Sequence, residues 1–165
     1  KEEKERTAEF LLTHPVSRVS VVAEKLISVI LQIVILNAVV YAIAVSSIAI
    51  IGETVPWHEI TLMHTAYLLL QLELAGVCFG VSAFLRRGSI GTGLGIAVIM
   101  YFLNIIANLT ESAEFLKYIT PFGYADGAEI VRNVSLDMNM IAIGIVFAVI
   151  GISAGFVKYY RKDIS

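Results

Sequence analysis

The chain has 165 residues, 58% of them hydrophobic and 16% charged, with a formal net charge of −2 and a mean hydropathy of +0.82. Soluble domains average about 45–50% apolar and 25% charged residues, so these values exclude an ordinary soluble domain, and no basic, aromatic-studded patch offers a footing for nucleic acid. A single cysteine, Cys78, lies inside an apolar run, which excludes a disulfide framework and a cysteine-based metal cluster.

Residues 1–20 form a charged segment. Glu2, Glu3, Lys4, Glu5, Arg6 and Glu9 cannot enter lipid, while Ala8, Leu11 and Leu12 share a narrow apolar helical face. The segment passes through Pro15 and Arg18 into the first apolar run without a linker. The opening Lys-Glu-Glu, with neither an initiator Met nor a signal peptide, points to a piece of a longer subunit.

Within 21–158, four runs approach or exceed the ~20 apolar residues that a membrane-spanning helix needs: 21–51, 61–85, 90–109 and 138–157. A backbone at that depth must satisfy its own hydrogen bonds, which forces helices, and the strict alternation of barrel strands is absent. The expected fold is therefore an all-α polytopic membrane helix bundle. The first run is longer than the hydrocarbon requires, so it tilts or projects a turn with Lys25 snorkelling outward. Between the third and fourth spans, residues 110–137 are read as two small external helices at, or dipping into, the outer membrane face. Ala113, Leu116 and Ile119 have helical spacing, Pro121-Phe122-Gly123-Tyr124 and Asp126-Gly127 are turn chemistry, and Ala128-Glu129-Ile130-Val131 starts a second apolar-polar piece. An irregular surface loop is the alternative, disfavoured because long structureless loops are uncommon. Residues 159–165 form a polar tail.

Charge orients the bundle. Lys1, Lys4, Arg6, Arg18, Lys25, Arg86, Arg87, Lys158, Arg161 and Lys162 fall on one side, and only Lys117 and Arg132 on the other. The positive-inside rule then predicts that both ends of the chain are cytoplasmic and that the protein is multi-pass in the plasma membrane.

Several patterns within the spans bear on function. Gly76/Gly80, Gly91/Gly95 and Gly151/Gly155 each form the G-x-x-x-G spacing that lets helices approach closely in lipid. Gly151-Ile152-Ser153-Ala154-Gly155 matches a nucleophile-elbow pattern, but an uninterrupted apolar helix lacks the strand-turn-helix context that catalysis needs. The glycines from Gly88 to Gly95 lack the Gly-Lys-Ser/Thr ending of a phosphate-binding loop, so the chain is expected to bind no ATP itself. Glu73, beside Gln71, sits near the middle of the second span, where a carboxylate costs about 2.5–3.5 kcal/mol even on a lenient scale. It is either a translocation-path or proton-linked group, or it hydrogen-bonds Asn104, Asn108 or Ser82 of the bundle. Gln71 and Asn104 are further path candidates; Asn104 reads more readily, like Gln32 and Asn37, as an interhelical hydrogen bond. His14, His58 and His64 are too scattered for a metal site, and Trp57 reads as an interface anchor.

The run Glu3-Lys4-Glu5-Arg6-Thr7-Ala8-Glu9-Phe10-Leu11-Leu12-Thr13-His14-Pro15-Val16-Ser17-Arg18, followed by Lys25, resembles the cytoplasmic segment of ABC-2 type transporter permeases. Those permeases read as an acidic-basic run, Gly-Thr, a Glu, a Leu pair, then Pro-Val-Ser-Arg and a Lys. Arg86-Arg87 after the second span, Leu116-Lys117-Tyr118-Ile119-Thr120-Pro121-Phe122 before the last, and Tyr160-Arg161-Lys162-Asp163-Ile164 at the end extend the resemblance over the whole chain. Arg6 departs from the family, which commonly has Gly there, and this favours a continuous helix.

The resemblance implies that the four spans are the third to sixth of a six-span permease half. It implies a coupling helix that docks on a separate ABC ATPase through Glu3, Thr7, Glu9, Leu11, Leu12, Pro15 and Arg18, with Arg86 and Arg87 as a shorter second contact. It implies re-entrant helices over 111–136 capping the pathway. Two permease halves and two ATPases form the working unit, an exporter, with ATP and Mg on the partner subunits and no cofactor on this chain. A non-transporting membrane anchor or sensor that recruits a cytosolic partner is the alternative. An intramembrane enzyme would need a nucleophile and base, and neither Ser153 nor Glu73 has an identifiable partner for that role.

Overall fold

A computed structural model describes residues 18–85 and 90–160. The first helix, α1 (Arg18–Ile50), is followed by α2 (Trp57–Phe84) and α3 (Ile90–Leu109). A 3-10 helix (Glu111–Tyr118), the short α4 (Gly127–Asn133) and the last long helix α5 (Met138–Tyr160) complete the chain, with no strand among the described residues. The four long helices are each apolar and long enough to cross a bilayer. The protein is an all-α helix bundle of the polytopic membrane type.

The helix limits differ modestly from the hydropathy reading. α1 begins at Arg18 and runs 33 residues, about 50 Å at 1.5 Å per residue against ~30 Å of hydrocarbon. α2 begins at Trp57, ahead of the apolar run at 61, because Trp57, His58 and Glu59 continue the helix into its polar end. The two small helices over 110–137 are present, the first as a 3-10 rather than an α-helix.

Local chemistry sets the boundaries. Asp126 caps α4, its carboxylate accepting from the amides of Ala128 (2.9 Å) and Glu129 (3.3 Å). Val134, left-handed at φ 50, ends that helix. Asp137 caps α5 through the amides of Asn139 and Met140. Within the spans, the hydroxyls of Ser28, Ser46, Ser47 and Thr65 donate to carbonyls one turn back, which hides these donors from lipid.

The central packing is α2 against α5. A Cβ placed on Gly80 would stand 2.5 Å from the Gly151 carbonyl oxygen, and one on Gly151 would stand 2.6 Å from that of Gly76. Gly76 lies against Ala148, and Gly155 against the ring of Phe79. Two of the three G-x-x-x-G pairs therefore face each other in one crossing. In the third helix, a Cβ on Gly93 would meet only the Cys78 sulfur, at 4.0 Å, and one on Gly95 would meet nothing within 4 Å. α3 is tied to the bundle mainly through the 3-10 helix. α1 lies on the outside with Val22 as its one buried side chain among the described residues, and apolar residues such as Leu31, Leu36 and Ile43 point outward. In water that surface would be prohibitive, but in lipid it is matched to its surroundings.

The 3-10 helix and α4 cap one end of the bundle. Ile130 of α4 and Tyr124 of the connecting turn pack there with Ala66 and Ile141 in a buried cluster, flanked by Leu69, Leu70 and Met140. The turn that joins the two small helices reaches well below the end of the spans. The Thr120 hydroxyl donates to the Met100 carbonyl at 3.0 Å, and Met100 lies about 14 Å along α3 from Leu109 at 1.5 Å per residue. The segment is re-entrant.

Candidate functional site

Glu73 is the deepest charged-type side chain among the described residues, only 3% exposed on the inner face of α2. It fits there because α5 has no side chain at Gly144: any Cβ at that position would fall on the Glu73 carboxylate. The re-entrant turn brings Tyr124 beside the same carboxylate. The Tyr124 hydroxyl is the donor that stands at the carboxylate, in a geometry short of a full hydrogen bond. Glu73 thus opens on a cleft of about 160 Å³ between α2, α3, α5 and the re-entrant turn, lined also by Met100, Tyr118, Thr120, Met140 and Phe147. The lining is apolar apart from the carboxylate, the Tyr118 ring with its hydroxyl, and Thr120, whose hydroxyl is committed to Met100.

The other path candidates stand elsewhere. Gln71 is two residues from Glu73, roughly 200° round the helix; its Oε1 is buried and unpartnered. Asn104 is one turn along α3 from Met100 and likewise has a buried, unpartnered Oδ1. Neither lines the Glu73 cleft. Glu73 does not bond the groups expected of a structural role: Ser82 donates instead to the Phe79 carbonyl at 2.7 Å, and Asn108 is exposed. The carboxylate turns instead toward the glycine gap in α5.

Three contributors escaped the sequence reading: Gly144, Tyr124 and Thr120. Gly144 had a signal, since Gly144, Ala148, Gly151 and Gly155 recur at helical spacing along one face of α5. Tyr124 was visible only as a turn residue, and Thr120 only as part of the run Leu116–Phe122 that carries the family resemblance.

His64 is buried, its Nδ1 2.8 Å from the Ile60 carbonyl, with Tyr41 edge-on at 5.0 Å. No group of three potential metal ligands forms among the described residues. Trp57 is largely exposed at the start of α2, and Ser153 sits within uninterrupted α5. Of the ATPase-contact candidates, Glu3, Thr7, Glu9, Leu11, Leu12, Pro15, Arg86 and Arg87 lie outside the described residues, and Arg18 opens α1.

The family model described as ABC-2 family transporter protein matches residues 1–164. The chain belongs to the ABC-2 transporter family. Neither a curated protein nor a solved structure matches it. An ABC-2 chain with four apolar spanning helices is a multi-pass membrane permease, the transmembrane transport component of an ABC transporter, and such permeases associate generally with an ABC ATPase.

Proposed function

We propose that this ABC-2 permease couples ATP hydrolysis on separate ATPase subunits to export of a substrate across the plasma membrane. The observation that carries the reading is the family match over residues 1–164, which includes the charged segment ahead of α1. Both ends of the chain are cytoplasmic in this reading, supported by the ten cationic residues that fall on one side of the spans. Residues 1–18 hold the coupling helix, with Leu11 and Leu12 inserted into the ATPase and Glu3, Thr7, Glu9, Pro15 and Arg18 around them. The turn at Arg86 and Arg87 is a second contact. Closure of two ATPases on ATP pulls two such helices as levers, and Pro15 passes the motion into α1. Two permease halves then switch access, with Glu73, Gln71 and Asn104 facing the route.

Replacing Leu11 and Leu12 together by Asp puts two carboxylates into an apolar contact, which desolvation forbids. The double variant should no longer co-purify with the ATPase in detergent while remaining folded. Unchanged co-purification would overturn the assignment of the coupling helix.

A further inference from the structure

We propose that the Glu73 cleft binds a small organic monocation, a protonated primary amine carried on an aryl or short alkyl body. The proposal builds on the place given to Glu73 on the transport route, but it concerns binding, which needs neither ATPase nor transport.

Three features of the cleft select this ligand. Its charge is single and negative: among the described residues that line it, Glu73 is the one acid, and no Lys, Arg or His is present. The nearest cation by sequence, Lys117, is 3.7 Å from Glu114. Glu73 is 97% removed from solvent, and its carboxylate has only the Tyr124 hydroxyl as a donor neighbour, short of full hydrogen-bond geometry. A buried carboxyl in that state keeps its proton until a counter-charge joins it, and a cation is what stabilises the ionised form. An ammonium group supplies both the charge and the N–H donors.

The rest of the cleft fits an apolar body. Tyr118 and Phe147 offer ring surfaces, which attract both an aryl group and a cation. Met100 and Met140 are adaptable fillers. At about 160 Å³ the space matches one benzene-sized ring. A divalent metal would require more oxygen ligands than this single acid gives, an anion would be repelled, and a neutral apolar molecule would leave the carboxylate unpaired.

The test uses the whole chain in zwitterionic lipid nanodiscs without ATPase. It is titrated with para-fluorobenzylammonium or with its neutral counterpart para-fluorobenzyl alcohol, and binding is read by fluorine NMR against empty discs. The wild-type chain should bind the ammonium at least about tenfold more tightly than the alcohol, the ratio expected for one desolvated charge pair. Glu73→Gln, which keeps the side-chain shape, should abolish that preference while leaving alcohol binding within about twofold. Equal affinity for the two ligands in the wild-type chain, no saturable ammonium binding above empty discs, or an ammonium preference that survives Glu73→Gln would each overturn the proposal. The wild-type comparison decides the matter even where the variant fails to fold. Failure here leaves ATPase docking through Leu11 and Leu12 untouched, and a failed docking experiment leaves this site standing.

Discussion

Gly80 sits where α2 and α5 cross most closely, and substituting it tests whether this crossing holds the bundle together. A Cβ there would stand 2.5 Å from the Gly151 carbonyl oxygen, 2.7 Å from its Cα and 2.9 Å from its carbonyl carbon. Carbon pairs prefer about 3.5–4.0 Å. All three neighbours are backbone atoms, so no rotamer change relieves the overlap and the helices must part by about 1 Å. A gap of that size forfeits roughly a quarter to a half of each dispersion contact that it opens, and in lipid, packing of this kind drives association. Overpacking costs about 1–3 kcal/mol, and replacing glycine by alanine within a helix returns about 1 kcal/mol. Because only backbone can give way, the upper part of the overpacking range, about 2–3 kcal/mol, applies, and Gly80→Ala should destabilise the chain by a net of about 1–2 kcal/mol. Gly95 is the matched control, a helical glycine whose added Cβ meets no atom within 4 Å; Gly95→Ala should be neutral or stabilise by up to about 1 kcal/mol. Equilibrium unfolding of the reconstituted chain in mixed micelles, followed by circular dichroism, compares the two. A Gly80→Ala variant as stable as wild type, or a shift of the same sign in both variants, would refute the packing argument.

Two further predictions follow from local geometry. Gly144→Ala should destabilise the chain because the new methyl falls on the Glu73 carboxylate, and Glu73→Ala should relieve most of that penalty. A double-mutant cycle should give a coupling of at least about 1 kcal/mol; additive effects would show that the two positions do not touch. Asp126→Ala removes the side-chain acceptor of the Ala128 and Glu129 amides and should cost about 1 kcal/mol. Hydrogen exchange should quicken at those amides while the α2–α5 crossing keeps its protection.

The number of long apolar helices was legible because lipid admits only such helices, and hydropathy alone reports that requirement. Their pairing was less legible. Gly76/Gly80, Gly91/Gly95 and Gly151/Gly155 are equivalent as sequence, yet α2 and α5 use theirs against each other while Gly95 faces open space. Only the three-dimensional crossing separates them. Glu73 was recognisable as exceptional from its position in an apolar run. Its neighbours were not, since the decisive one is a missing side chain at Gly144 and the other, Tyr124, arrives on a turn from a distant part of the chain. Polar residues such as Asn104 and Asn108 looked like better partners because hydrogen-bonding capacity is visible in a sequence and empty volume is not. The 3-10 form of the Glu111–Tyr118 helix was hidden for a related reason. Its apolar spacing fits either helix type.

The central claim is that this ABC-2 chain transmits work from an ATPase rather than merely anchoring it. The most direct measurement is the ATP hydrolysis rate of the cognate ATPase reconstituted in proteoliposomes, alone, with the wild-type permease, and with the Leu11→Asp/Leu12→Asp variant. The account predicts that the wild-type permease changes the rate and that the variant leaves it at the value of the ATPase alone. An ATPase that binds the wild-type permease yet hydrolyses ATP at an unaltered rate would contradict it and identify the chain as an anchor.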